Sequence, residues 1–170
     1  MKLLVVMTSA IAVLLVSGCG AEDEELSLFS TEDAEVHLKR WVEAVVSQDI
    51  DKLMECSGTP FRFRSRTWTS AAEAKANLAL QLAGLKEQME KAVRDGGSFR
   101  YFSYRDLKDG QFPERAQVSE ERREVAISRL GVRREGFIAW LHVGRQSILK
   151  LILNAPSSRD RLVVEGVDPR

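Results

Sequence analysis

The sequence predicts an α+β domain, with helices from the first half packed on an antiparallel sheet drawn mainly from the C-terminal third. Three observations carry this. Apolar residues recur at spacings of three and four from Ala34 to Val45 and from Ala71 to Ala92, the signature of helices with one buried face. Three runs rich in branched and aromatic residues, Phe137 to Val143, Ile148 to Leu153 and Leu162 to Val167, crowd the end of the chain. The links between those runs are short, which suits antiparallel neighbours, because parallel strands need a long crossover.

In chain order, the first stretch is an address rather than part of the fold. Lys2 supplies a minimal positive start, and Leu3 to Val16 is apolar apart from Thr8 and Ser9. As a helix at ~1.5 Å per residue the run covers roughly 21 Å. A hydrocarbon core is about 30 Å thick, so the run is short for a span and right for a signal peptide. It ends in Val16-Ser17-Gly18-Cys19, which resembles the lipobox of bacterial lipoproteins. That resemblance implies that Cys19 receives a diacylglyceryl group, that the Gly18–Cys19 bond is cut, and that Cys19 becomes the mature N-terminus. Two or three acyl chains, at about 0.8 kcal/mol per buried CH₂, hold a protein firmly on a bilayer. The alternative is an ordinary secretory signal with Cys19 merely next in line. Gly20 after the cysteine, by resemblance to the sorting rule of enteric bacteria, places a Gram-negative lipoprotein in the outer membrane facing the periplasm.

Residues 1–18 are thus expected to be a lipoprotein signal peptide, 19–30 a lipidated cysteine with an acidic tether, and 31–170 a single domain. Loss of residues 1–18 leaves 152, enough for one sizeable core. Basic and acidic residues balance at 25 each, and only Lys2 is lost, so the mature chain carries a net charge of −1. Such a balance gives no steering toward nucleic acid, and none is expected as a partner. Glu22, Asp23, Glu24 and Glu25 make the tether acidic. If Cys19 carries lipid, Cys56 has no intramolecular partner and reads as a small buried thiol.

The first helix starts at Ser30 or Thr31, where Ser30 and Asp33 resemble a capping box, and buries Ala34, Leu38, Trp41, Val42 and Val45. A short helix capped by Asp49 follows, apolar at Ile50, Leu53 and Met54, and Ser57-Gly58-Thr59-Pro60 breaks it. Phe61 to Arg66 alternates with period two and reads as a strand, with Phe61 and Phe63 inward and Arg62, Arg64 and Arg66 on one outer face. Ser70 opens the longest helix, whose stripe is Ala71, Ala74, Leu78, Leu82, Leu85, Met89 and Ala92, and Asp95-Gly96-Gly97 stops it. Phe99 to Tyr104 is an aromatic strand. Residues 119–130 read as helix, closed by Gly131, with a strand as the alternative. The three β-rich runs then form an antiparallel meander.

Helix, short helix, short strand, long helix and a C-terminal sheet is an order that resembles the nuclear transport factor 2-like (SnoaL-like) family. The residues carrying the resemblance are Trp41 to Asp51 and the closing Val163-Val164-Glu165-Gly166-Val167-Asp168. It implies a curved sheet wrapping the long helices into a cone with an apolar pocket, over about residues 31–168. The helix at 119–130 departs from the simplest members.

Candidate chemistry is sparse. In enzymes of that family a histidine or aspartate in the cone is the base, which makes His142, or a pocket carboxylate, the residue to consider. His37 sits at the flank of the first helix's apolar face. Trp41, Phe61, Phe63, Trp68, Tyr101 and Trp140 are candidates to line the pocket, or simply to fill the core. Arg62, Arg64 and Arg66 are candidates to hold an anionic envelope polymer. No metal-ligand spacing, phosphate-cradling loop or nucleophile elbow is present, and no cofactor is expected. The expected role is a cell-envelope lipoprotein, membrane-bound through Cys19. Its domain is expected to bind a small apolar ligand or an envelope partner protein without catalysis. The alternatives are a small-molecule enzyme using His142 and a polymer binder using the arginines.

Overall fold

The computed structural model describes residues 28–112, 118–156 and 161–169. The expected signal peptide, Cys19 and the tether through residue 27 lie outside the described residues.

Helix α1 (Thr31–Val46) starts where its cap demands. The Ser30 hydroxyl accepts the Asp33 N–H at 3.1 Å, and the Asp33 carboxylate accepts the Ser30 N–H at 2.8 Å. Two of the helix's orphan donors are thereby satisfied, and the same bonds hold the Asp33 carboxyl below its ordinary value. Helix α2 (Ile50–Glu55) is capped by Asp49, and α3 (Ala71–Arg94) by Ser70. The long helix stops at Asp95, with Gly96 in the left-handed region at φ +73°. Of its expected stripe, Ala74, Leu78, Leu82, Leu85, Met89 and Ala92 are buried, whereas Ala71 is exposed.

The strands are β1 (Ser57–Phe63), β2 (Arg66–Trp68), β3 (Ser98–Ser103), β4 (Phe137–Val143), β5 (Gln146–Asn154) and β6 (Val163–Pro169). They form one sheet in the order β2-β1-β6-β5-β4-β3, open at both ends. The C-terminal meander β4-β5-β6 is antiparallel, and β3 adds antiparallel to β4. The β1–β6 pairing is parallel, so the whole sheet is mixed. The α+β class, with helices packed on a curved sheet, is the one the sequence predicts.

Two elements differ from expectation. The strand expected over Phe61–Arg66 is split: Arg64 takes a left-handed φ of 55°, and a turn at Arg64-Ser65 folds β2 back on β1. The chain also enters β1 at Ser57, so residues 57–60 break α2 but belong to the sheet. A short helix α4 (Tyr104–Lys108) follows β3 directly, started by a second capping box between Ser103 and Asp106. Residues 120–130 form α5 (Glu120–Leu130), closed by Gly131 at φ +78°.

Alternation along β4 divides the core. Phe137, Ala139 and Leu141 face α1 and α3 and join the main cluster with Trp41, Phe61 and Leu151. Ile138 and Trp140 face the other way and form a second cluster with Leu107, Ile127, Val132 and Ile152. The period of two fixes this, because successive strand side chains leave opposite faces. Helices α1 to α3 cover the inner face of the sheet, and α4 and α5 cover part of the outer face.

Candidate functional site

The aromatic candidates separate. Trp41 and Phe61 are fully buried, and Phe63 and Trp68 nearly so, all in the main cluster. Trp68 stacks against Phe61 at 5.9 Å and against Phe63 at 5.7 Å between ring centroids. This follows from register, since Phe61 lies opposite Trp68 on the same face. These rings therefore contact core atoms, as close-packed interiors require. Tyr101 is half-buried at the margin of the same cluster, and burial, with the charge of Glu35, pushes its hydroxyl up to about 12. Trp140 belongs to the second cluster, on the opposite face of the sheet. It donates Nε1–H to the Ser147 hydroxyl.

His142 follows Trp140 onto the outer face, and the two rings stack at 5.8 Å. Its Nε2 is buried and has no hydrogen-bond partner among the described residues. Burial, then the nearby Arg100 charge, holds the imidazole below its ordinary value. A general base must reach the proton it removes; here Nε2 is buried while the residue as a whole is partly exposed. His142 is not brought together with Trp41, Phe61, Phe63 and Trp68.

The arginines do not share a face. Arg62 points to the outer side and donates to the Leu130 carbonyl at 2.5 Å and the Arg129 carbonyl at 3.3 Å. It thereby caps the C-terminus of α5, where a cation is favoured. Arg64 occupies the left-handed turn, with its guanidinium 5.8 Å from the Phe63 ring centroid. Arg66 lies opposite Phe63 in the register and so falls on the other side of the hairpin from Arg62. Strand alternation was the right signal for Arg62, but the turn at Arg64 reverses the chain before Arg66.

One juxtaposition had no sequence signal. His37 donates its Nε2–H to the Cys56 carbonyl at 3.2 Å, and that oxygen also accepts the Val164 N–H at 2.9 Å. A carbonyl only accepts, so the bond fixes the Nε2–H tautomer. Burial, with the charges of Arg161 and Arg40, holds His37 down, while the bond to Cys56 opposes this. Burial, and then Glu55, pushes the Cys56 thiol up. A raised thiol is a poor nucleophile. The pair therefore joins α1 to the start of β1 and does not form a thiol–imidazole couple. Cys56 also borders a surface groove of about 450 Å³ between α1 and α2, with Arg40, Glu43, Ser47 and Lys52. A second groove, of about 400 Å³, runs past Ser57, Thr59, Arg161 and Glu165.

Bordering that second groove is a polar network built on two buried residues, Asn154 and Glu165. Glu165, 9% exposed, accepts from Arg133 at 2.6 and 2.8 Å and from Asn154 Nδ2 at 2.9 Å. Asn154 in turn accepts the Arg133 N–H and donates to the Gly131 carbonyl. The three residues tie the segment after α5 to β5 and β6. Among the described residues no group of three or more His, Cys, Asp or Glu could hold a metal ion, and no helix is long and apolar enough to cross a membrane.

Both edges of the sheet, β2 and β3, pair with one strand only among the described residues. One edge, β2, is three residues long, and the other, β3, pairs with β4 over six consecutive residues without a bulge. Comparison with protein-family models and with curated proteins finds no match for the chain.

Proposed function

We propose that the chain is a cell-envelope lipoprotein, held to the membrane through lipid on Cys19, whose domain docks a partner protein without catalysis. The observation that carries this is the run Leu3 to Val16 ending in Val16-Ser17-Gly18-Cys19, whose length and final cysteine resemble a lipoprotein signal. In a Gram-negative host the anchor is in the outer membrane, facing the periplasm. Between a small apolar ligand and a partner protein, the packing favours the partner. Trp41, Phe61, Phe63 and Trp68 are used up against one another and the core, whereas a six-residue strand edge faces outward. The buried Nε2 of His142 and the raised Cys56 thiol give no support to an enzyme, and the cap made by Arg62 gives none to a polymer site.

The test is direct. The native chain should fractionate with membranes and gain the mass of a diacylglyceryl group, and Cys19→Ser should leave an unlipidated chain. Crosslinking in intact envelopes should then trap a discrete protein on the lipidated chain. A membrane-bound mature Cys19→Ser chain would refute the anchor. An apolar small molecule retained in native mass spectrometry, with no crosslinked protein, would refute partner docking.

A further inference from the structure

We infer that β3 is a docking edge for an added β-strand from a partner protein, one whose residues alternate between acidic and apolar. This rests on the partner-docking reading above and gives it a place and a chemistry. The geometry follows from the ladder. The Tyr104 N–H bonds the Gly136 carbonyl at 3.0 Å, which marks Tyr104–Gly136 as a hydrogen-bonded pair. Antiparallel pairs alternate between bonded and non-bonded, so Ser98, Arg100 and Phe102 turn their backbone groups to β4. Phe99, Tyr101 and Ser103 turn theirs outward. The outward Ser103 N–H is taken by the Asp106 carboxylate at 2.7 Å. The outward N–H and C=O groups of Phe99 and Tyr101 have no hydrogen-bond partner among the described residues.

Edges of this kind are normally blunted by shortness, proline, a bulge, a charged side chain or a covering helix or loop. The β2 edge is blunted by its three-residue length. The β3 edge has six residues, no proline and no bulge, and its one charge, Arg100, stands on the outer face, which leaves two donors and two acceptors without a partner among the described residues and arranged for strand addition. Its two faces set the chemistry of the occupant. Phe99 and Tyr101 are half-buried against the main cluster, so apolar side chains of an added strand continue the core there. Glu35 lies close enough to Tyr101 to act on its hydroxyl, which disfavours an acid on that face. Arg100 projects from the other face, exposed and without an ion pair among the described residues. It sits at a non-hydrogen-bonded position toward the new strand, where side chains approach closest. An Asp or Glu opposite Arg100, flanked by apolar residues, matches both faces.

The probe is a labelled, end-blocked peptide of alternating Val and Glu, with a Val/Lys peptide of the same length as control. Both are titrated by anisotropy into the mature Cys19→Ser chain. The Val/Glu peptide should bind at least tenfold tighter than the control, and its binding should protect the Phe99 and Tyr101 amides from exchange. Tyr101→Pro removes an N–H that makes no internal bond, a position where an edge strand tolerates proline. It should weaken binding at least tenfold with the circular dichroism unchanged. Arg100→Glu should reverse the preference between the peptides and keeps the test decisive if Tyr101→Pro fails to fold. Equal binding of both peptides, or preference unchanged in Arg100→Glu, overturns the proposal. A wild-type dimer that Arg100→Glu dissociates would make the occupant a second copy. Peptide binding that appears only after Glu22, Asp23, Glu24 and Glu25 are made amides would make it this chain's own tether. If the edge fails while a partner is still crosslinked in envelopes, partner docking stands and only its place is wrong.

Discussion

At the scale of single residues, the two histidines titrate against the fold. His37 and His142 both lie below the ordinary 6.5, each chiefly through burial. The unfolded chain therefore takes up protons first as the pH falls through 6.5, and stability is lost from there down toward the folded values. Above 6.5 that contribution is fully present. Asp33 and Asp49 act in the opposite sense, but their stabilisation is lost only below the ordinary 3.8. Denaturant unfolding at pH 7 and pH 5.5 should show the wild type weaker at the lower pH. The double variant His37→Gln, His142→Gln should flatten most of that difference, since Gln keeps a donor for the Cys56 carbonyl. An undiminished difference would mean that other groups titrate in this window.

Arg64 gives a second residue-scale prediction. Its φ of 55° is costly for a side-chain-bearing residue, by roughly 1–2 kcal/mol, and glycine adopts it without strain. Part of the gain is offset by the greater freedom of glycine in the unfolded chain. Arg64→Gly should therefore be neutral or stabilising by about 1 kcal/mol in urea unfolding. A loss of comparable size would mean that the guanidinium over Phe63 matters more than the turn.

At the scale of elements, legibility in the sequence followed the locality of the forces. The first, second, third and fifth helices were readable because caps and apolar spacing are local: Ser30 with Asp33, Asp49, Ser70, and Gly131 each act within a few residues. The strands β4 to β6 were readable from their composition and short links. What was not readable depended on distant partners. The parallel joining of β1 to β6 spans most of the domain, and α4 is only five residues long. The arginine face failed because one residue at positive φ turned an apparent strand into a hairpin. Of the candidate site, residue identities were legible and their grouping was not: Trp140 left the aromatic set for the outer face, where the His142 ring stacks on it.

The Arg133–Glu165–Asn154 network is likewise a junction between elements, invisible to local reading. Arg133 is half-exposed while Glu165 is buried, so the two ends of the ion pair differ in what removal costs. Glu165→Ala frees a guanidinium that can reach water, and should cost about 2–3 kcal/mol, less than the loss of a partner from a fully buried pair. For a domain of this size that is roughly 4–12 °C in Tm. Arg133→Ala leaves a buried carboxylate whose remaining hydrogen-bond partner among the described residues is Asn154, and should cost more. Calorimetry of both variants decides it: a smaller loss for Arg133→Ala would mean that Glu165 finds water or another cation.

At the scale of the whole molecule, the sheet separates two unequal cores, and stability should be divided accordingly. The main cluster joins α1, α3 and the inner faces of the strands. The second cluster is much smaller and holds α5 through Ile127 and Leu130. Further grip on α5 comes from the Lys108–Glu124 ion pair, the Arg123 guanidinium donating to the Lys108 carbonyl, Arg62 at its C-terminus, and Asn154 donating to the Gly131 carbonyl just beyond it. Exposed ion pairs contribute little, so Arg62 and the apolar contacts carry most of the attachment. Elements held by few buried contacts open locally, below the free energy of global unfolding. Amides of α5 should therefore exchange faster than those of β4 and β5 under native conditions. Arg62→Ala removes a charged donor from two carbonyls, about 1.5 kcal/mol, and should speed exchange in α5 roughly tenfold. Exchange in β5 should change far less if α5 opens by itself. If the two change together, the clusters form one cooperative unit, and α5 is part of the scaffold rather than a cover laid on its outer face.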